Sequence, residues 1–87
     1  MKSGQLLQKS VRIPVRFQIK NETRGRMRVH LLQNRMTLEQ ADGLLYYLES
    51  LPFVVSASVY ERTADAIVRY REDRSELIRA IQCFRYE

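Results

Sequence analysis

Cysteine and histidine are nearly missing from this sequence, which contains only Cys83 and His30. A single cysteine excludes an internal disulfide and a pair of thiolates that hold a metal within one chain. A single histidine excludes a multi-histidine metal centre. No Ser/His/Asp or Cys/His/Asn set is expected to converge at one place, which disfavours hydrolytic catalysis. We therefore predict that the chain is not an enzyme.

Long apolar runs are missing as well. No stretch of about 18 apolar residues occurs, so we expect no membrane-spanning helix. Residues 1–17 lack the apolar block of a secretory signal, and we expect a cytoplasmic protein. The 87 residues, with 45% hydrophobic and 29% charged side chains, are typical of one small globular domain.

The cations are concentrated at the start of the chain. Residues 1–35 hold nine Lys and Arg and one acid, a net charge of +8, whereas residues 36–87 hold six cations and nine acids, a net charge of −3. This polarity favours contact with an anionic surface: acidic lipid headgroups, nucleic acid or an acidic face of a partner protein. A basic tail that only improves solubility is the alternative interpretation.

We predict a flexible basic leader over residues 1–14 and a folded domain over residues 15–87. Residues 15–20 and 26–31 each alternate apolar and polar side chains, as half-buried strands do. Residues 15–20 could fold back as a separate edge strand, or lengthen the next strand across a bulge at Gly25. We favour the second arrangement slightly.

The rest of the chain predicts a helix, a β-hairpin and a second helix. Thr37 and Gln40 have capping-box spacing ahead of an apolar stripe that Pro52 ends. Two short alternating segments follow, and a second helix comes after Asp73. The predicted fold class is α+β: a ferredoxin-like βαββα(β) sandwich with two helices on one face of an antiparallel sheet and a short or missing last strand.

Several segments together resemble a known family. They are Gly25–His30, Met36–Asp42, Leu51–Val54 and Val59–Tyr70. Over residues 17–83 the chain is similar to the divergent heavy-metal-associated domains at the N-termini of bacterial heavy-metal-translocating P-type ATPases. The resemblance implies a ferredoxin-like fold and a regulatory or docking role beside such a pump, at the cytoplasmic face of the membrane if the two are fused.

The sequence departs from the parent family at the metal-binding loop. That family has Met-Thr-Cys-x-x-Cys there, and its two thiolates chelate copper(I), zinc or cadmium. Here Leu38 and Ala41 stand at the cysteine positions, or Thr37 and Gln40 if the alignment shifts by one residue. Phe53 stands where the family has a glycine. We therefore do not carry metal chelation over to this chain.

The remaining candidate metal ligands are His30, Cys83 and Met36. Each has a simpler structural interpretation. His30 can be a hydrogen-bonded strand residue, Cys83 a small buried hydrophobic residue, and Met36 a loop residue that covers the edge of the core. We predict no metal site and no cofactor, and copper(I), zinc and cadmium are the ions against which this prediction is to be tested.

The candidate partner-binding residues are Arg26, Arg28, Tyr46 and Tyr47. The two arginines lie on the wet side of a predicted strand, where they can instead pair with Asp65 of a neighbouring strand. The tyrosines lie off the apolar stripe of the first helix. Other domains of a metal-transporting P-type ATPase are the expected partners, and an anionic membrane surface is a further candidate.

Two other functions are known for domains with a ferredoxin-like plan. An RNA-recognition-like module would use the basic open sheet face, but that face offers only Tyr60 for base stacking and lacks the usual signature. An acylphosphatase-like enzyme needs a phosphate-cradling arginine loop and an asparagine on the second strand. Asn21 and Asn34 are both elsewhere.

Overall fold

A computed structural model describes residues 15–71 and 73–86. The elements follow in the order β1 Phe17–Thr23, β2 Arg26–Leu31, α1 Leu38–Ser50, β3 Val54–Tyr60, β4 Asp65–Tyr70 and α2 Arg74–Cys83. The four strands form one antiparallel sheet in the order β1-β2-β4-β3. This α+β fold is compatible with the predicted ferredoxin-like sandwich. The predicted leader, residues 1–14, lies outside the described residues.

The slight preference for a lengthened strand across Gly25 was wrong. The segment that begins at Phe17 folds back on β2 as a separate edge strand, and the bulge lies within it, between Ile19 and Asn21. Gly25 makes the hairpin possible because its φ of +78° lies in the left-handed region that glycine enters without steric cost. β1 thus occupies the place beside β2 that a last strand would otherwise fill.

The C-terminal strand expected by the ferredoxin-like plan is reduced to a single β-bridge residue, Arg85. An ion pair links β1 to α2: Arg74, at the start of α2, donates to the Glu22 carboxylate, with a 3.0 Å bond to Oε1. The hydrogen bond to Arg74 lowers the pKa of Glu22.

The core lies between the sheet and the two helices. From the sheet it takes the alternate residues of β2 and β4, and from the helices it takes their apolar stripes; its largest fully buried members are Met27, Leu31, Met36, Leu44, Leu48, Leu77, Ile81, Val29 and Val68. Both helices therefore cover the same face, as predicted. The other face carries polar side chains and is called here the open face. Within the described residues, no helix is long and apolar enough to cross a membrane.

Helix α1 begins as the sequence predicts. Thr37 Oγ1 accepts the Gln40 backbone N–H at 3.0 Å, and Gln40 Oε1 accepts the Thr37 N–H at 3.1 Å. This reciprocal capping box satisfies two amides that the helix leaves without partners. Leu51, the residue before Pro52, adopts an extended conformation and ends the helix.

Candidate functional site

Strand register arranges the open face in cross-strand rows. On β2 and β4, Arg26 lies opposite Arg69, Arg28 opposite Ile67, and His30 opposite Asp65. These side chains alternate with buried core residues, so the pleat places them on the side away from the helices. The face therefore presents three arginines and one carboxylate on its two central strands.

Asp65 is the centre of a charged cluster on this face. Its Oδ2 accepts a 2.8 Å bond from the Arg28 guanidinium, and its Oδ1 lies 2.8 Å from Nδ1 of His30. Only 7% of Asp65 is exposed. Burial alone raises the pKa of a carboxyl, but hydrogen bonds from Arg28, His30 and Thr63 outweigh it, and the pKa of Asp65 lies below its ordinary value.

The ionised Asp65 sets the orientation of His30. A carboxylate only accepts hydrogen bonds, so Nδ1 of His30 carries the proton that lies between the two groups. Nε2 is left as the ring nitrogen that Asp65 does not engage. The predicted pairing of a strand arginine with Asp65 is confirmed for Arg28.

Arg26 has a different environment from Arg28. It faces Arg69 directly across the β2–β4 ladder, and among the described residues neither guanidinium forms an ion pair with a carboxylate. Like charges placed directly opposite on a sheet destabilise it. Arg69 was not singled out from the sequence, because its alternation with Val68 and Tyr70 indicates the wet face but not its cross-strand neighbour.

An aromatic side chain lies at the end of the same face. Tyr60, on the edge strand β3, is 47% exposed and contributes with Arg28, Arg62 and Ile67 to an open groove of about 410 Å³. Glu61 also lines this groove, so its wall carries one ring, two guanidinium groups and one carboxylate. The ring and the guanidinium groups suit contact with an aromatic ligand.

The residues before and at the start of α1, where the sequence resemblance would place a metal-binding loop, form structural hydrogen bonds. Thr37 and Gln40 cap α1, and Gln33 Nε2 adds a 3.3 Å bond to Gln40 Oε1. At the alternative alignment, Leu38 is 67% exposed and Ala41 is buried. Neither pair offers a soft sulfur ligand.

The three candidate metal ligands do not come together. Met36 is 2% exposed and belongs to the core, His30 lies on the open face, and Cys83 is an exposed cysteine at the end of α2. Groups of three or more His, Cys, Asp and Glu side chains that could hold a metal do not occur within residues 15–71 and 73–86.

Tyr46 and Tyr47 lie on α1, on the opposite side of the sheet from the arginines. Tyr46 is 78% exposed. Tyr47 is partly buried, donates its hydroxyl to the Ala80 carbonyl at 2.6 Å and packs on Phe84 with ring centroids 4.9 Å apart. Desolvation raises the pKa of Tyr47. The four candidate partner-binding residues therefore form two separate surfaces.

The tyrosines line a second groove, of about 710 Å³, between α1 and the C-terminal segment. Its wall includes Phe84 and Tyr86, whose rings meet edge to face at 5.2 Å. Phe84 and Tyr86 lie in the segment where the sequence suggests a short or missing last strand, and so short a segment has no periodicity that would indicate an aromatic cluster.

Comparison with known proteins adds no relative: no protein-family model matches the chain, and searches of curated proteins and of solved structures find no significant match.

Proposed function

We propose that the chain is a non-catalytic docking domain that regulates a heavy-metal-transporting P-type ATPase and has lost Cys-x-x-Cys metal chelation. It would bind, through the open face, an acidic surface on another domain of that ATPase at the cytoplasmic side of the membrane. The resemblance described above suggests the ATPase, and the geometry of the open face suggests how the domain would bind.

The observation that carries the docking proposal is the Arg26–Arg69 pair. Two guanidinium groups directly opposite each other cost stability, and the cost is offset when carboxylates or phosphates bind between them. Asp65, the acid on the central strands, is already engaged by Arg28 and His30. Among residues 15–71 and 73–86, no carboxylate forms an ion pair with Arg26 or Arg69, so an incoming anion would meet two arginines there.

The capping box supports the loss of chelation. Thr37 and Gln40 exchange hydrogen bonds with each other's backbone, so reorienting either side chain towards an ion would uncap α1. Replacing a cap costs about 1 kcal/mol in helix stability. The loop is thus built to start a helix.

The experiment is a binding titration of the 87-residue chain with the cytosolic domains of a metal-translocating P-type ATPase from the same organism. We expect the double variant Arg26→Gln/Arg69→Gln to bind about tenfold more weakly, because each partly exposed ion pair contributes about 0.5–1 kcal/mol. Affinity should also fall as salt increases.

The matched control is Arg35→Gln/Arg79→Gln, which removes the same charge from an exposed loop and from α2. It should bind like the unaltered chain. Equal weakening by both double variants would show that only net charge matters and would contradict docking at the open face. Binding to anionic vesicles that exceeds binding to the ATPase domains would replace the protein partner with the membrane surface.

A nucleic-acid-binding function is the second candidate, favoured by the position of Tyr60 beside Arg28 and Ile67 on the open face. Bases stack on aromatic rings at about 1–3 kcal/mol each. Titration with single-stranded RNA separates the two candidates. Tight, salt-dependent binding that Tyr60→Ala abolishes would support the RNA module and contradict the docking proposal.

A further inference from the structure

Strand β3 forms one edge of the sheet and carries no charged residue. Its sequence is Val-Val-Ser-Ala-Ser-Val-Tyr. The other edge strand, β1, carries Lys20 and Glu22 and is interrupted by a bulge. Charges and bulges are the devices by which natural edge strands avoid pairing with other chains. β3 has a register shift only at its start, between Val54 and Ser56.

Hydrogen-bond directions on β4 show which backbone groups of β3 face outward. Bonds alternate between the two neighbours along a strand. The Tyr70 N–H points to β2, where it donates to Gly25 at 2.9 Å, and the Arg71 N–H points to the β3 side, where it donates to Phe53 at 2.9 Å. The backbone N–H and C=O groups of Arg69, Ile67 and Asp65 therefore point towards β3.

Their partners on β3 include Ser56 and Ser58. Because hydrogen-bond directions alternate along a strand, the N–H and C=O groups of Ala57 and Val59 point away from β4. No strand in the described part of the chain pairs with that side. Two donors and two acceptors are thus aligned along a straight edge.

Side-chain burial indicates that this edge of the core is incomplete. On the helix side of β3, Val54, Ala57 and Val59 are only partly buried, whereas their neighbours Ala66 and Val68 on β4 are fully buried. A further strand with small apolar side chains on the helix side would cover the exposed part of these residues.

We propose that β3 pairs antiparallel with β3 of a second copy of this chain, which joins two sheets into one. The chemistry of the edge selects this occupant. A charged strand would find no opposite charge on β3, whereas β3 itself alternates hydroxyl and small apolar side chains and matches its own surface. A twofold interface requires such self-complementarity.

The register follows from the outward-facing backbone groups. With Ser58 on the twofold axis, Ala57 of each copy lies opposite Val59 of the other, and the two residues exchange N–H and C=O bonds. The paired region lies beyond the register shift, where β3 is regular. A single strand pair falls below the ~1,000 Å² of stable interfaces, so the dimer is weak and reversible.

Sedimentation of the 87-residue chain over a range of concentrations tests this pairing, alone and as variants. We expect a monomer–dimer equilibrium. Ala57→Pro removes an N–H that points outward in each copy and makes no bond to β4. It should therefore abolish the dimer while leaving the pairing of β3 with β4 intact. Ser58→Lys should weaken it about fivefold by placing like charges opposite each other.

Mixing Ser58→Lys chains with Ser58→Asp chains should restore association as a heterodimer, which misfolding cannot imitate. Gln82→Lys adds the same charge on the exposed surface of α2 and should dimerise like the unaltered chain. Amide exchange at Ala57 and Val59 should slow as concentration rises. A chain that stays monomeric at millimolar concentration, or a Ser58→Lys variant that dimerises normally, would overturn the proposal.

Discussion

At the scale of single residues, Asp65 links the stability of the sheet to the chemistry of its open face. It is nearly buried, yet it remains ionised because Arg28, His30 and Thr63 surround it. Asp65 forms two hydrogen bonds across the strands, with the partly exposed side chains of Arg28 and His30. Hydrogen bonds to a charged group contribute more to stability than those between neutral groups. The residue therefore holds β2 and β4 in register and fixes the position of Arg28.

The lowered pKa of Asp65 predicts how stability depends on pH. A carboxyl whose pKa is lower in the folded than in the unfolded state stabilises the fold above its unfolded value, near 4. That stability is lost as pH falls through the folded value. Asp65→Asn should lower the free energy of unfolding by about 1–2 kcal/mol at pH 7. The free energy of unfolding of this variant should fall less between pH 5 and 2 than that of the unaltered chain.

Urea unfolding at a series of pH values measures both effects. Asp42→Asn, which makes the same substitution at an exposed carboxylate of α1, is the matched control variant. Parallel profiles for Asp65→Asn and the unaltered chain would show that the cluster does not lower the pKa of Asp65.

At the scale of elements, the N-terminal hairpin supplies two of the four strands of the sheet. The sequence identified both of its strands through their alternation, but not whether Gly25 made a turn or a bulge. In the fold, long-range contacts accompany the turn, including the Glu22–Arg74 ion pair and the bond from the Tyr70 N–H to the Gly25 carbonyl. A period of two residues does not reveal such contacts.

Gly25 is required by the turn, and its replacement gives an element-scale prediction. A Cβ at this position would meet the Tyr70 carbonyl oxygen at 3.3 Å, and the φ of +78° disfavours any other residue. Gly25→Ala should destabilise the chain by about 1–2 kcal/mol. A stability equal to that of the unaltered chain in urea unfolding would contradict this hairpin geometry.

Gly43 provides the opposite case in helix α1. No atom lies within 4 Å of a Cβ built there, so nothing in the described structure needs the space. Gly43→Ala should therefore stabilise the chain by about 1 kcal/mol, the difference in helix propensity. Loss of stability would show that another part of the molecule approaches the helix at this point.

At the scale of the whole molecule, the sequence predicted the α+β fold, both helices and the polar face from periodicity and capping alone. It predicted that a strand arginine could pair with Asp65, but not that Arg69 lies opposite Arg26, because the register between two strands far apart in the chain is not visible in the alternation of either one. The contact of Tyr47 with Phe84 was missed because helix periodicity does not show where the segment after α2 packs.

We propose that this domain, whose sequence resembles metal-binding domains, acts by contact with a partner and not by metal chelation. The most direct measurement follows amide resonances of the ¹⁵N-labelled chain while copper(I), zinc or cadmium is added under reducing conditions. We predict no saturable one-to-one shifts in residues 36–42, where the capping box holds Thr37 and Gln40. Strong one-to-one shifts clustered in residues 36–42 would show that the domain binds metal there and would contradict the proposed loss of chelation.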